Sequence, residues 1–149
     1  MQSRFVFIII SLLLGAILPV QATINSRLSK FVNGPVLAAF ISFAVGTVAL
    51  LLYLLITRQI HPNDIAFRQS NWWLWIGGIL GAFYVAGIVI LIPRLGVALT
   101  FSLVVAGQMG IALVFDHYGW MGLHIKEISW GRIAGALLLV AGVFLIRKT

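Results

Sequence analysis

Apolar residues fall in five long runs divided by short polar stretches. The first goes from Phe5 to about Ala22, and the second from Val36 to about Ile56, stopping at Thr57-Arg58-Gln59. The third starts at Trp72 and continues to about Ile92, and the fourth runs from Val97 to about Phe115. The last spans roughly Ile128 to Ile146 and is closed by Arg147-Lys148. A helix needs about 20 apolar residues to cross a hydrocarbon core of about 30 Å. The pattern therefore predicts an all-α membrane protein with five transmembrane helices, forming a single domain over residues 1–149.

The polar stretches carry the punctuation expected between such helices. Asn33-Gly34-Pro35 is a turn signal, with proline suited to the start of a helix. Ile60 to Asn71 is the longest loop and holds His61-Pro62, Asp64 and Arg68. Trp72, Trp73 and Trp75 fit an interfacial aromatic belt. Pro93-Arg94-Leu95-Gly96 reads as a tight helix-to-helix connection, and Asp116-His117-Tyr118-Gly119-Trp120 closes the fourth span. Arg132 lies near the start of the fifth run, where its side chain is expected to snorkel to the surface. Val20-Gln21-Ala22 also offers small residues of the kind a signal peptidase cuts beside, so removal of the first run is the alternative to retaining all five spans.

Composition sharpens this picture. Of 149 residues, 62% are hydrophobic and 9% are charged, and the mean hydropathy is +1.12. Too few polar residues remain to cover a soluble domain. The net charge of +7 comes from ten cations scattered singly between apolar runs, unlike the clustered footprint of a nucleic-acid-binding protein. There is no cysteine, which excludes disulfides and thiolate metal sites. No cofactor is called for. The spans also lack the paired acids, histidine cluster or activated nucleophile that a membrane enzyme would need.

The distribution of cations is the most informative feature. With successive spans crossing in alternate directions, Arg4, Arg58, Arg68, Lys126 and Arg132 fall on one side of the membrane. Arg27, Lys30, Arg94, Arg147 and Lys148 fall on the other. The sides carry equal numbers, whereas an excess of cations on the cytoplasmic side normally sets orientation. Equality predicts dual topology, with copies inserting both ways and pairing antiparallel. An odd number of spans lets an inverted copy complete a second half of opposite topology, the plan of many inverted-repeat transporters. The other reading is that a separate, oppositely oriented partner fixes the orientation.

The residues also resemble a known family. Gly15-Ala16 through Gln21-Ala22 and Asn25-Ser26-Arg27-Leu28 are similar to the first-helix signature of the YdcZ family, small bacterial inner-membrane proteins allied to the drug/metabolite transporter superfamily. Gly34-Pro35, Ala38 to Phe43 and Gly46-Thr47 resemble its second helix, and Gly77 to Val85 its third. Pro93 to Gly96, Ala106-Gly107-Gln108, Asp116 to Gly119 and Arg132 to Gly135 resemble its remaining blocks. The resemblance implies a five-helix inner-membrane protein and a small-molecule transporter. With the inverted pairing above, the expectation is an exporter or exchanger working by alternating access between two inverted subunits, the alternative being an accessory or structural subunit that pairs with a separate, oppositely oriented partner. It implies no substrate.

Several residues are candidates for that work. Gln21 and Asn25 lie one turn apart beyond Pro19, which frees the carbonyl of Gly15, and Ser11 lies one turn earlier. With Gln108 on span four and Tyr84 on span three, they make a candidate substrate pathway; the alternative for each is interhelical hydrogen bonding. Small multidrug exporters of similar architecture carry a buried glutamate on the first helix, and here that span has no acid. Asp116 beside His117 is the remaining candidate for proton handling, with a structural helix-end pair as its alternative. Arg27, Lys30 and Arg94 could attract an anionic substrate. Small residues at four-residue spacing let backbones approach: Ala38, Ser42 and Gly46; Gly77 and Gly81; Gly131 and Gly135. The last pair sits on a span without strongly polar residues from Ile133 to Ile146, which suits dimer packing.

Overall fold

The computed structural model describes residues 2–59 and 71–148, with side chains from residue 5 onward. Most of the polar loop holding His61, Pro62, Asp64 and Arg68 lies outside the described residues, as does the Arg4 side chain. Among the described residues the regular structure is all helical: α1 (Gln2–Leu28), α2 (Pro35–Ile56), α3 (Gly77–Leu95), α4 (Val97–Tyr118) and α5 (Trp130–Lys148). Each is long and apolar enough to span a membrane; the candidate spans are Phe5–Leu28, Pro35–Ile56, Trp72–Leu95, Val97–Tyr118 and Trp130–Lys148. The chain divides into two compact units, Met1–Pro93 and Arg94–Thr149.

In the first unit, α1 runs six residues past the end of its apolar run at Ala22. Polarity ends the hydrophobic run there, but it does not end the helix. The Thr23 hydroxyl donates to the Pro19 carbonyl at 2.8 Å, and the Ser29 hydroxyl donates to the Ser26 carbonyl at 2.8 Å. These side chains satisfy themselves on the helix backbone, so extending it leaves neither hydroxyl unpaired. Chain reversal follows at Asn33 and Gly34, both with positive φ (59° and 136°). Asn is one of the few side chains that tolerates this region, and Gly34 has no Cβ to strain. Pro35 then opens α2, as expected from the sequence.

α1 and α2 pack together. Apart from Asn25, their buried residues are small: Ala22 and Ser26 on α1, Ala38 and Ala39 on α2, with Ala38 wholly inaccessible. In lipid, hydrophobicity alone does not draw helices together, and small side chains permit the close approach that dispersion needs. The ring of Phe43 on α2 lies over Gly81 of α3, where an added Cβ would sit 3.6 Å away. A 3-10 turn over Trp72–Ile76 leads into α3 and carries the tryptophan cluster, exposed at Trp72, Trp73 and Trp75.

The second unit is an α4–α5 hairpin with extensive helix contact. Gly119 ends α4 in the left-handed conformation (φ 61°), and its N–H returns to the Phe115 carbonyl. A Cβ there would meet Ile125 Cγ1 at 2.7 Å and the Leu123 carbonyl oxygen at 3.0 Å, so glycine is required twice over. A short 3-10 turn, Trp120–Gly122, and an extended segment lead to α5. That segment is tied back to α4 by the Lys126 N–H, which donates to the Asp116 carbonyl at 2.7 Å.

Candidate functional site

α1 and α2 are joined by a short turn and run antiparallel, so residues at matching distances from the turn lie at the same depth. Gln21 is seven residues before the end of α1, and Ser42 is seven after the start of α2, each about 10 Å along its helix at 1.5 Å per residue. The structure brings them together. They line two adjoining grooves, one of about 550 Å³ bounded by Leu13, Ala16, Ile17, Val20, Ile24 and Asn25 in addition to the shared pair. The other, of about 240 Å³, continues past Phe43 and Gly46 to Thr47 and Leu50.

The polar groups form a descending series. Asn25 stands about 5 Å from the end of α1, Gln21 and Ser42 about 10 Å in, and Thr47 about 18 Å in, near the middle of a core about 30 Å thick. Asn25 is 3% exposed, and its side-chain nitrogen has no hydrogen-bond partner among the described residues. An unpaired buried amide costs about 1–3 kcal/mol. Among the described residues no charged side chain lines either groove. The arrangement offers hydrogen bonds stepped through an apolar wall, suited to receiving an uncharged polar group inside the bilayer.

The other sequence candidates are more dispersed. The Ser11 hydroxyl donates to the Phe7 carbonyl at 2.8 Å and is absent from the groove lining. The Tyr84 hydroxyl on α3 is buried without a partner among the described residues. Gln108 is exposed on α4 and lines neither groove. Arg27, Lys30 and Arg94 are exposed. Gly131 and Gly135 are exposed on α5, and a Cβ at either meets nothing within 4 Å. α4 and α5 also bound an apolar groove of about 340 Å³ lined by Phe101, Val105, Leu139 and Val143 among others.

At the α4–α5 connection, Asp116 forms an ion pair with Arg132. The same guanidinium donates to the Lys126 carbonyl at 2.8 Å. His117 Nδ1 accepts the Ile128 N–H at 3.4 Å. Arg132, which the sequence alone places at the surface by snorkelling, has its charge matched by an acid on the preceding helix. The partners are sixteen residues apart, and only the reversal at Gly119 brings them together. Around them, the Phe115 and Trp120 ring centroids are 5.5 Å apart, and Tyr118 stacks on Trp120 at 5.8 Å. Such amphipathic rings suit the headgroup level.

Sequence reading did not include Ser42 or Thr47 in the pathway set. Ser42 looks like a small packing residue until the hairpin register sets it opposite Gln21. The five-residue spacing of Ser42 and Thr47 on an otherwise apolar helix was the available signal.

Comparison with known proteins agrees with the five-span membrane architecture. A family described as "Putative inner membrane exporter, YdcZ" matches residues 6–145. "Inner membrane protein YdcZ" of Escherichia coli (strain K12) is 28% identical over 134 residues, covering 90% of this chain and 89% of its own length. No solved structure matches the chain.

Proposed function

Because the chain belongs to the YdcZ family of multi-pass inner-membrane proteins, we propose that it exports or exchanges a small molecule as an antiparallel, dual-topology homodimer. The observation that carries the pathway is the polar series Asn25, Gln21, Ser42 and Thr47 between α1 and α2, with the Asn25 amide nitrogen, unpartnered among the described residues, near its outer end. Asn25 is buried, Ser42 half-buried, and Gln21 and Thr47 exposed along the open grooves; polar side chains at membrane depth are costly and mark substrate routes. Tyr84, in the same unit, remains part of the proposed pathway, joined by Ser42 and Thr47.

The equal division of cations and the odd number of spans support the inverted pair. The continuous family match over residues 6–145 supports reading the five spans as one membrane domain. Asp116 serves to hold the α4–α5 connection in this proposal, its carboxylate engaged by Arg132.

Two measurements test the reading. For orientation, a cysteine placed after Thr149 in this cysteine-free chain is labelled on intact cells with an impermeant maleimide. Labelling of about half the chains is expected. All or none would replace the homodimer with a fixed-topology subunit facing a separate partner. For transport, spent media of expressing and non-expressing cells are compared by untargeted mass spectrometry. A solute enriched by the native chain, but not by a Gln21→Leu variant of equal abundance, is expected; no such solute would refute export through this route.

A further inference from the structure

We infer that the larger α1–α2 groove binds an uncharged amphiphile, which presents an oxygen acceptor to the Asn25 amide and lays an apolar body along Leu13, Ile17 and Val20. This rests on the pathway reading above for its location and adds the chemical class of ligand.

Three observations converge. The first is the Asn25 amide nitrogen, a donor with no acceptor among the described residues although the side chain is almost completely buried. A buried donor of this kind gains a full hydrogen bond from a ligand carbonyl or ether oxygen without further desolvation. The second is the groove wall. Among the described residues it contains no acid to attract a cation and no base to attract an anion, and its volume of about 550 Å³ lies within the range of ligand sites. Arg27, two residues beyond Asn25, is exposed and is not part of that wall.

The third is the gradient of polarity with depth. Asn25 lies near the headgroup level, whereas Leu13 is twelve residues earlier on α1, about 18 Å deeper along the helix. Ile17, Val20 and Ile24 of the same wall are more than half exposed, so the groove is open along its side. A polar head at the surface and an apolar body beneath it match how an amphiphile already sits in lipid. Such a ligand reaches the groove sideways from the bilayer, keeping its depth and orientation.

The test uses an Ile24→Cys variant of the full chain in proteoliposomes, whose thiol is the only one present and stands in the groove wall. Its labelling rate with N-ethylmaleimide is measured with N,N-dimethyldecanamide, which has an acceptor and no donor or charge. Decyltrimethylammonium, decanoate and decane are compared at equal membrane concentration. A Leu103→Cys variant on α4, outside the groove, controls for changes in the bilayer. The expected result is at least five-fold slower labelling at position 24 with dimethyldecanamide only, no change at position 103, and loss of protection when Asn25→Leu is added.

Equal protection by decane would mean simple apolar filling and overturn the proposal. Preferential protection by decanoate or by the ammonium would overturn its uncharged class. The headgroup comparison needs no substitution at Asn25, so it decides even if that variant fails to fold. Binding is read at equilibrium without flux. Selective protection in a chain that exports nothing would uphold this site and refute the exporter reading, whereas export without protection would do the reverse.

Discussion

Replacing Asn25 with leucine separates a ligand site from interhelical glue, because the two predict opposite signs for stability. Leucine nearly preserves the branched shape and exchanges the amide for methyl groups. Asn25 is 3% exposed and its nitrogen lacks a partner among the described residues. The native side chain therefore carries an unmet desolvation cost of about 1–3 kcal/mol, which leucine removes. Some of that gain is offset by the tight fit beside a helix whose Ala38 is fully inaccessible. The expected outcome is an unfolding free energy unchanged or raised by about 1 kcal/mol, with export reduced at least ten-fold. Reversible unfolding by sodium dodecyl sulfate in mixed micelles measures the first, and solute appearance in the medium the second. If Asn25 were glue, its loss would instead cost about 0.6 kcal/mol, the average for interhelical hydrogen bonds in membranes. A clear drop in stability, with export falling only in proportion to folded protein, would refute the reasoning.

Three further outcomes follow from the same structure. Gly119→Ala should destabilise the protein by about 2–3 kcal/mol, combining left-handed strain with the contact to Ile125, as read by the same unfolding assay; a change under about 0.5 kcal/mol would contradict the turn geometry. A double-mutant cycle on Asp116→Asn and Arg132→Gln should give a coupling of about 1 kcal/mol or less, because each side chain is 30% exposed; additivity of the two changes would mean that the ion pair contributes nothing. Gly135→Leu should leave unfolding of the single chain unchanged, since a Cβ there meets nothing within 4 Å, while lowering the dimer fraction seen by crosslinking in lipid. An unchanged dimer would remove Gly135 from the interface.

The five spans were legible because the bilayer imposes a length and a polarity that any sliding reading of the chain detects. The end of α1 was not, because Thr23, Asn25 and Ser26 interrupt hydrophobicity without interrupting backbone hydrogen bonding. Gln21 and Asn25 stood out as polar residues in apolar surroundings, whereas Ser42 gained its place only from the register of the hairpin. The Asp116–Arg132 pair was illegible for a related reason: its formation depends on how sharply the chain reverses at Gly119 and where Lys126 returns to α4. Local patterns reveal which residues face a problem in lipid; tertiary geometry decides which neighbour solves it.

The length of α1 has a consequence for the membrane itself. The span Phe5–Leu28 has 24 residues, about 36 Å of helix, against a hydrocarbon thickness of about 30 Å. The excess must be taken up by tilt or by protrusion, and the balance shifts with acyl-chain length. The depth of Asn25 is consequently a property of the lipid as well as of the protein. Longer acyl chains draw the amide inward, away from headgroup water, and shorter ones release it outward. On the proposed pathway, a recognition group that rides on an overlong helix would be sensitive to bilayer thickness, and the lipids a cell synthesises would become a control on what the protein admits.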